Sequence, residues 1–199
     1  MSVVDLLVEG AVEEAILRRL VPEAGMRPGR VWGNKGRQYL IKQLPAFNRA
    51  ARHRPILALM DFEGTKGCVG DFIQRLLPDR DPRRCLRLAV RASEAWLMAD
   101  TRGLAGYFRI SADVVPRDTD SLVQPKLSMV ELARRSRNPG LRRALVPWPD
   151  SGARVGPAYT SVLIDFVRNR WDPEAAAEVS PSLRRALAAI RGLGNSGSG

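Results

Sequence analysis

Residues 3–10, with the sequence VVDLLVEG, decide the fold that we expect for this chain. A run of Val and Leu that stops at an acid followed by Gly is typical of a buried parallel strand that enters a tight turn. The helical pattern of residues 12–20 follows this turn directly. A second apolar run, at residues 56–60, ends in the same way at Asp61-x-Glu63. Strands and helices that alternate in this manner indicate an α/β domain with a mostly parallel sheet flanked by helices.

The acids at these two strand ends form the first candidate site. In an open α/β sheet the carboxyl ends of parallel strands form the binding crevice, so we expect Glu9, Asp61 and Glu63 to converge there. Carboxylates that share a crevice repel one another unless a cation lies between them, and hard oxygen ligands suit Mg2+ or Mn2+. There is a structural alternative for each acid. Glu9 can simply complement the positive end of the following helix, and Asp61 and Glu63 can mark the start of an ordinary loop. Their order, about 50 residues apart around a strand-helix-strand pattern, favours a metal site.

Other residues are candidates for the same chemistry. Glu94 begins a helix after the strand that ends near residue 90, so it is either a further acidic ligand or a helix-capping residue beside a core Trp96. Residues 33–36, GNKG, precede a helix, so their backbone amides and Lys35 can hold a phosphate, although a simple turn explains them nearly as well. Lys126 and Arg154 fall in loops, where they either contact the scissile phosphate or lie on a solvated surface.

The remaining elements follow from the same patterns. The sequence predicts strands at 3–8, 30–32, 56–60 and 85–90, and helices at 12–20, 37–52, 69–77, 93–99, 104–107, 126–136, 160–170 and 182–190. Ser93 suits an N-cap, as does Asp172 ahead of Pro173. We therefore expect a core over residues 1–101, a helical C-terminal extension over 102–191, and a disordered tail over 192–199 that is rich in Gly and Ser.

The charge of the chain favours a polyanionic partner. The formal net charge is +11, residues 24–60 carry eight Lys or Arg and no acid, and residues 132–149 carry five Arg and no acid. Such blocks attract a phosphate backbone without reading sequence, although many basic faces are simply solvated. The predicted nucleic-acid contacts are Arg37, Lys42, Arg142, Arg143 and Arg154.

Several classes of protein are excluded or disfavoured. His53 is the sole histidine, which excludes zinc hydrolases that need two. Cys68 and Cys85 fit neither a zinc knuckle nor a redox pair. The sequence shows neither an apolar stretch of the ~20 residues that cross a bilayer nor a signal peptide, so we expect a cytoplasmic protein without membrane association. The three tyrosines lack the separate domain that strand passage by a topoisomerase requires, so hydrolysis is favoured.

Two sets of motifs resemble known families. Glu9-Gly10 on a strand-to-helix turn, Glu13 one helical turn later and Asp61-x-Glu63 resemble the TOPRIM fold of topoisomerases, primases and OLD-type nucleases. Nearly the whole chain also resembles a bacterial family of small stand-alone TOPRIM-like proteins, the DUF4276 type. That second resemblance is carried by GNKG at 33–36, LPAF at 44–47, SEAWLMAD at 93–100, PK at 125–126 and RVGP at 154–157. The chain departs from the usual Asp-x-Asp in having Glu63 at the second acidic position.

The resemblance implies a TOPRIM-like fold and a function. It implies a metal-dependent nuclease that hydrolyses phosphodiester bonds, acting as the effector of a bacterial defence or toxin-like system, including phage defence, alongside an ATPase partner. It favours Glu13 over Glu14 as a metal ligand, in addition to Glu9, Asp61, Glu63 and Glu94. Lys35, Lys126 or Arg154 would neutralise charge that develops on the phosphoryl oxygens. The alternative is a catalytically degenerate TOPRIM-like protein that binds nucleic acid or docks on a partner.

Overall fold

The computed structural model describes residues 2–51, 53–62, 69–76, 78, 84–89 and 92–195 of the chain. Within these ranges the strands are β1 Val3–Val8, β2 Arg27–Gly33, β3 Ile56–Asp61 and β4 Arg84–Ala89. The helices are α1 Ala11–Glu23, α2 Arg37–Ala50, α3 Val69–Leu76, α4 Ser93–Ala99, α5 Thr101–Phe108, α6 Pro125–Arg134, α7 Pro139–Leu145, α8 Tyr159–Asn169, α9 Pro173–Val179 and α10 Pro181–Asn195. A 3-10 turn, Ala112–Val114, lies between α5 and α6.

The strands form one open parallel sheet in the order β2-β1-β3-β4. In its interior, Val8 of β1 is in register with Gly33 of β2 and with Leu59 of β3. Parallel neighbours need a crossover connection, which α1 provides between β1 and β2. The chain then passes through α2 from β2 to β3, which pairs with the other edge of β1. The predicted α/β class and its parallel sheet are therefore confirmed, whereas the TOPRIM-like identity stays a prediction.

The sheet is buried because helices cover it. Every residue of β3 is buried, as expected for a parallel strand that is covered on both faces. Leu40 and Leu44 of α2 pack in one cluster with Leu7, Ala58 and Met60 of the two interior strands. This packing fixes the height of α2 beside the sheet, and with it the loop between β2 and α2.

The chain divides into two compact units at positions that differ from the predicted ones. One unit contains residues 1–90 and 184–199, and the other contains residues 91–183. The helix α4, which the sequence assigns to the α/β core, therefore belongs to the second, helical unit. Most of α10, from Arg184 onward, belongs to the first unit rather than to the extension.

The predicted disordered tail is wrong for residues 192–195, which lie in α10. Gly and Asn are poor helix formers, and this is why the sequence suggested disorder. The helix continues because Ile190 and Leu193 are buried. Gly194 also packs closely against the backbone at Ala24, since a Cβ added at Gly194 would lie 2.5 Å from the Ala24 carbonyl oxygen. Residues 196–199 lie outside the described residues.

The second unit is organised around two buried indoles, Trp96 and Trp171. The Trp96 Nε1 donates to the Ser182 Oγ at 2.7 Å, and the Trp171 Nε1 donates to the Trp96 carbonyl at 3.3 Å. A buried indole N–H needs an acceptor, so these bonds fix both rings. Asp100 accepts from the backbone N–H groups of Gly103 and Asp172, each at 2.9 Å, and thereby joins the start of α5 to the start of α9.

The helix caps test two expectations and show one helix that the sequence analysis missed. Asp172 caps α9 as predicted, accepting from the N–H groups of Glu174 and Ala175 at 3.0 and 3.1 Å. The prediction for Ser93 is wrong, because Ala92 occupies the N-cap of α4 and no side chain caps that helix. The helix α7 was not predicted, although Asn138 before Pro139 is a typical start signal and its Oδ1 accepts from Gly140 N at 2.9 Å.

No helix in the described part of the chain is both long enough and apolar enough to cross a membrane.

Gly33 is a position where the fold demands glycine. Its φ is +108°, and an added Cβ would lie 1.9 Å from the Val8 carbonyl oxygen, which cannot move because it belongs to β1. Gly25 also has a positive φ, +67°, but an added Cβ would meet no atom within 4 Å. We expect Gly25→Ala to cost only backbone strain of about 1–2 kcal/mol. Gly33→Ala should cost more than about 3 kcal/mol, above the usual range for one substitution.

Urea unfolding followed by circular dichroism measures both variants. Equal losses in the two variants would contradict the close approach of β2 to the end of β1.

Candidate active site

The carboxyl end of β1 is held by the loop that follows β2. The Asn34 N–H donates to the Val8 carbonyl at 3.2 Å, and the Gly36 N–H donates to the Glu9 carbonyl at 3.0 Å. Gly33, Asn34 and Gly36 all have positive φ, so the loop turns sharply over the strand end. Glu9 therefore leaves the sheet from a backbone that is fixed on the β2 side.

Glu9 and Asp61 come together at the carboxyl edge of the sheet. They follow neighbouring parallel strands, and the Asp61 N–H lies 3.4 Å from the Glu9 Oε2, to which it donates. Glu9 is half-buried and Asp61 is 9% exposed. Two acids in such an environment destabilise each other unless positive charge, hydrogen-bond donors or a cation offset the repulsion.

The two acids of the first turn of α1 have different surroundings. Glu14 accepts from Asn34 Nδ2 at 2.8 Å and from Arg18 Nε at 2.8 Å, so it ties α1 to the loop after β2. Glu13 is buried, and a Cβ added at Gly10 would lie 3.1 Å from its Oε2. The Glu13 carboxyl group thus lies against the turn that carries Glu9, whereas Glu14 has a structural role.

Arg37 supplies positive charge at this edge. Its Nη1 donates to the Asp61 carbonyl at 2.7 Å, and its guanidinium lies 5.6 Å from the centre of the Phe72 ring. The sequence assigned Arg37 only to a surface that contacts nucleic acid. Its position at the start of α2, directly after the loop that clamps β1, places it at the main chain of Asp61. Its predicted contact with nucleic acid stays a prediction.

The expected phosphate grip of residues 33–36 needs correction. Two of its backbone N–H groups, those of Asn34 and Gly36, already donate to carbonyl oxygens at the end of β1. They are therefore not available to bind a phosphate. Lys35 is exposed, and its Nζ lies 5.0 Å from the centre of the Tyr39 ring. The alternative reading, a turn, describes the backbone of this loop better.

The fit of a divalent cation rests on the donor set. The carboxyl oxygens of Glu9 and Asp61, with Glu13 beside the turn, are the hard ligands that Mg2+ and Mn2+ prefer. Glu63, the predicted third strand-end ligand, lies outside the described residues. Among the residues that the structure does describe, no group of three or more His, Cys, Asp or Glu side chains is arranged to hold a metal.

Glu94 and Lys126 belong to the second unit, where they meet a residue that the sequence did not single out. Glu94 is 4% exposed, and its Oε1 accepts from the Tyr159 hydroxyl at 3.0 Å and lies 3.7 Å from the Lys126 Nζ. Burial of a carboxyl group is costly unless such partners are present. These contacts connect the SEAWLMAD motif, the PK motif and a residue just after the RVGP motif. The predicted roles of Glu94 as a metal ligand and of Lys126 in catalysis stay predictions.

The three tyrosines have different surroundings, and the preference for hydrolysis over strand passage stays a prediction. Tyr159 is buried against Glu94, and Tyr39 lies beneath the ammonium group of Lys35. The Tyr107 hydroxyl donates to the Asp165 Oδ2 at 2.7 Å, and burial together with that carboxylate raises the pKa of Tyr107. A phenol with a raised pKa resists conversion to the phenolate that a covalent nucleophile requires.

The remaining predicted nucleic-acid contacts are exposed in both units. Lys42 lies on α2 in the first unit, while Arg142 and Arg143 lie on α7 and Arg154 lies in a loop of the second unit. Exposure suits contact with a phosphate backbone. The expectation that they form one surface stays a prediction.

The chain matches no model of a protein family, no curated protein and no solved structure.

The bond between Tyr159 and Glu94 should be measurable as stability. Tyr159→Phe removes one donor from a buried carboxyl group, and we expect a loss of about 2 kcal/mol, typical of a hydrogen bond to a charged group. Tyr39→Phe is the control, because the ring beneath Lys35 is kept, and its cost should stay within about 0.5 kcal/mol. Chemical denaturation of both variants gives the comparison. An equal cost for the two would show that Tyr159 acts through its ring alone.

Proposed function

We propose that the chain is a metal-dependent nuclease that hydrolyses phosphodiester bonds at the carboxyl edge of its sheet. One observation carries the proposal: the Glu9 carboxyl group reaches the backbone N–H of Asp61 across adjacent parallel strands. The two acids that the sequence nominates from distant positions thus share one sheet edge. In open parallel sheets this edge is where ligands bind.

The residues at this edge have complementary roles in the proposal. Glu9 and Asp61 would hold Mg2+ or Mn2+, with Glu13 beside the turn and Glu63 as a further ligand. A divalent cation there would orient the phosphodiester, activate the attacking water and stabilise the leaving oxygen. Arg37, held at the Asp61 carbonyl, would offset negative charge on the phosphoryl group.

The charge of the chain supports nucleic acid as the substrate. The formal net charge is +11, and the exposed cations include Lys42 of α2 and Arg142 of α7. A field of this sign raises the local concentration of a polyanion and favours backbone contacts that carry no sequence preference. Cleavage with little sequence preference is the activity that such a surface would serve. A role in bacterial defence with an ATPase partner rests on the family resemblance alone.

The competing function is nucleic-acid binding without catalysis. It is favoured by the finding that the described residues contain no group of three potential metal ligands. It is favoured also by the structural use of Glu9, whose carboxyl group already serves the Asp61 N–H. The two functions differ in one measurable respect, since only the nuclease requires a divalent cation.

Amide substitutions at the sheet edge test the nuclease. Glu9→Gln keeps an acceptor oxygen for the Asp61 N–H while it removes the charge, and Asp61→Asn is equally conservative. With Mg2+ or Mn2+ and plasmid DNA, single-stranded DNA or tRNA, we expect each variant to lose several kcal/mol of transition-state stabilisation, or roughly 100-fold or more in rate. The control is Glu178→Gln, an exposed acid on α9. Wild-type activity in Glu9→Gln and Asp61→Asn would place the chemistry elsewhere.

Metal binding has a readout that is independent of cleavage. A ligand that binds only the folded protein adds about 2.7 kcal/mol of stability at a concentration of roughly 100 times Kd. We therefore expect Mn2+ to raise the Tm of the wild type and of Glu178→Gln, but not that of Glu9→Gln. A Tm that Mn2+ raises equally in all three proteins would show that the cation binds away from Glu9.

A further inference from the structure

Trp148 is the most exposed aromatic residue among those that the structure describes, with 64% of its surface accessible. An indole has a large apolar face and one N–H donor, so an exposed tryptophan has both available for contact with another molecule. The other two tryptophans of the same unit, Trp96 and Trp171, are buried. Trp148 therefore is not explained by the core of its own unit.

The backbone that carries this indole is constrained. The helix α7 ends at Leu145, and Val146 is extended because Pro147 follows it. Pro149 restricts Trp148 in the same way. The Trp148 carbonyl then accepts from the N–H and the Oγ of Ser151, at 3.2 and 2.8 Å. A backbone so constrained loses little further conformational freedom when the loop binds a partner.

Arginines surround the indole. Arg134 at the end of α6 and Arg142 and Arg143 on α7 line, together with Trp148, a concave site of about 380 Å³. The Arg142 Nη1 donates to the Ser136 carbonyl, which fixes that guanidinium in place. Residues 132–149 contain five Arg and no acid. Glu131 pairs with the Arg134 Nε at 3.1 Å and Asp150 follows the segment, so the excess of positive charge rests mainly on the other arginines. An aromatic face amid arginines matches a base with its flanking phosphates.

We propose that Trp148 and the arginines beside it bind single-stranded nucleic acid, with one base stacked on the indole and backbone phosphates on Arg134, Arg142 and Arg143. A single strand is required because the faces of paired bases are covered by their neighbours in a duplex. The inference deepens the proposed function, since it names the strandedness of the substrate. DNA and RNA strands share this chemistry, and both are included in the test.

The test is fluorescence anisotropy in EDTA, where cleavage does not occur. The probes are labelled oligothymidylate and oligouridylate of about 12 nucleotides, within the usual footprint of ~4–16. Trp148→Ala should weaken binding of at least one of them by about fivefold or more, the lower end of what loss of one stacked base costs. Trp148→Phe, which keeps a smaller stacking face, should lie between the wild type and Trp148→Ala.

Two further probes isolate stacking from charge. A duplex and an abasic strand of the same length offer phosphates without an accessible base, so the wild type and Trp148→Ala should bind each of them equally. Trp148→Ala should also leave the salt dependence of oligothymidylate binding unchanged. Arg143→Gln should reduce the slope of log K against log salt by about 0.7, as expected for one lost phosphate contact on a single strand.

Val123→Ala is the matched surface control, because Val123 is an apolar residue of the same unit that is 72% exposed. It should bind every probe as the wild type does. Quenching of intrinsic fluorescence gives a second readout, since oligothymidylate should quench the wild type more than Trp148→Phe. This comparison keeps the test decisive if Trp148→Ala folds poorly.

Several outcomes would overturn the inference. The first is that Trp148→Ala binds both single strands with wild-type affinity. The second is that Trp148→Ala loses as much affinity for the duplex and the abasic strand as for the single strands. The third is that binding of an acidic polypeptide such as polyglutamate depends on Trp148 more than binding of the oligonucleotides does. Its failure is distinguishable from failure of the nuclease. Binding that depends on Trp148 without cleavage in Mn2+ would reject the nuclease alone, whereas cleavage with no role for Trp148 in binding would reject this inference alone.

Discussion

The hydrogen bonds at the carboxyl end of β1 control the geometry of the candidate active site. The carbonyls of Val8 and Glu9 accept from the loop after β2, and the Glu9 side chain accepts from the main chain of Asp61 at the end of β3. The first two bonds link β1 to the loop after β2, and the third links it to β3. Together they fix the relative height of three strand ends, and therefore of the two acids and of Arg37, which begins the next helix.

This arrangement explains how a basic chain tolerates acids at one edge. Glu13 and Glu14 lie in the first turn of α1, where the helix dipole favours negative charge. The guanidinium of Arg37 donates to the Asp61 carbonyl, and the Glu14 carboxyl group accepts from Arg18 and Asn34. Hydrogen bonds and cations thus offset part of the repulsion between carboxylates. The acids are consequently compatible with the folded state before any metal is considered.

The sequence could predict the sheet edge because strand ends are local signals. Apolar runs that stop at Glu9 and at Asp61 require no knowledge of distant contacts. The return of α10 to the first unit involves burial of Ile190 and Leu193, which a Gly-rich segment does not reveal. The role of Tyr159 was missed because its partner, Glu94, is 65 positions away in the sequence. The amides of residues 33–36 were misjudged because their acceptors belong to another strand.

The double use of Glu9 bears on how the site is to be understood. Its carboxyl group accepts from the Asp61 N–H, a role that folding alone explains. An acid at position 9 is therefore expected in a nuclease and in a binding protein of the same fold alike. Arg37 is similar, because its bond to the Asp61 carbonyl and its contact with Phe72 stabilise the start of α2 whether or not a phosphate arrives. The feature that separates the two functions is negative charge at this edge, not the presence of hydrogen-bonding side chains, because an uncharged amide satisfies the Asp61 N–H but is a weaker ligand for a divalent cation.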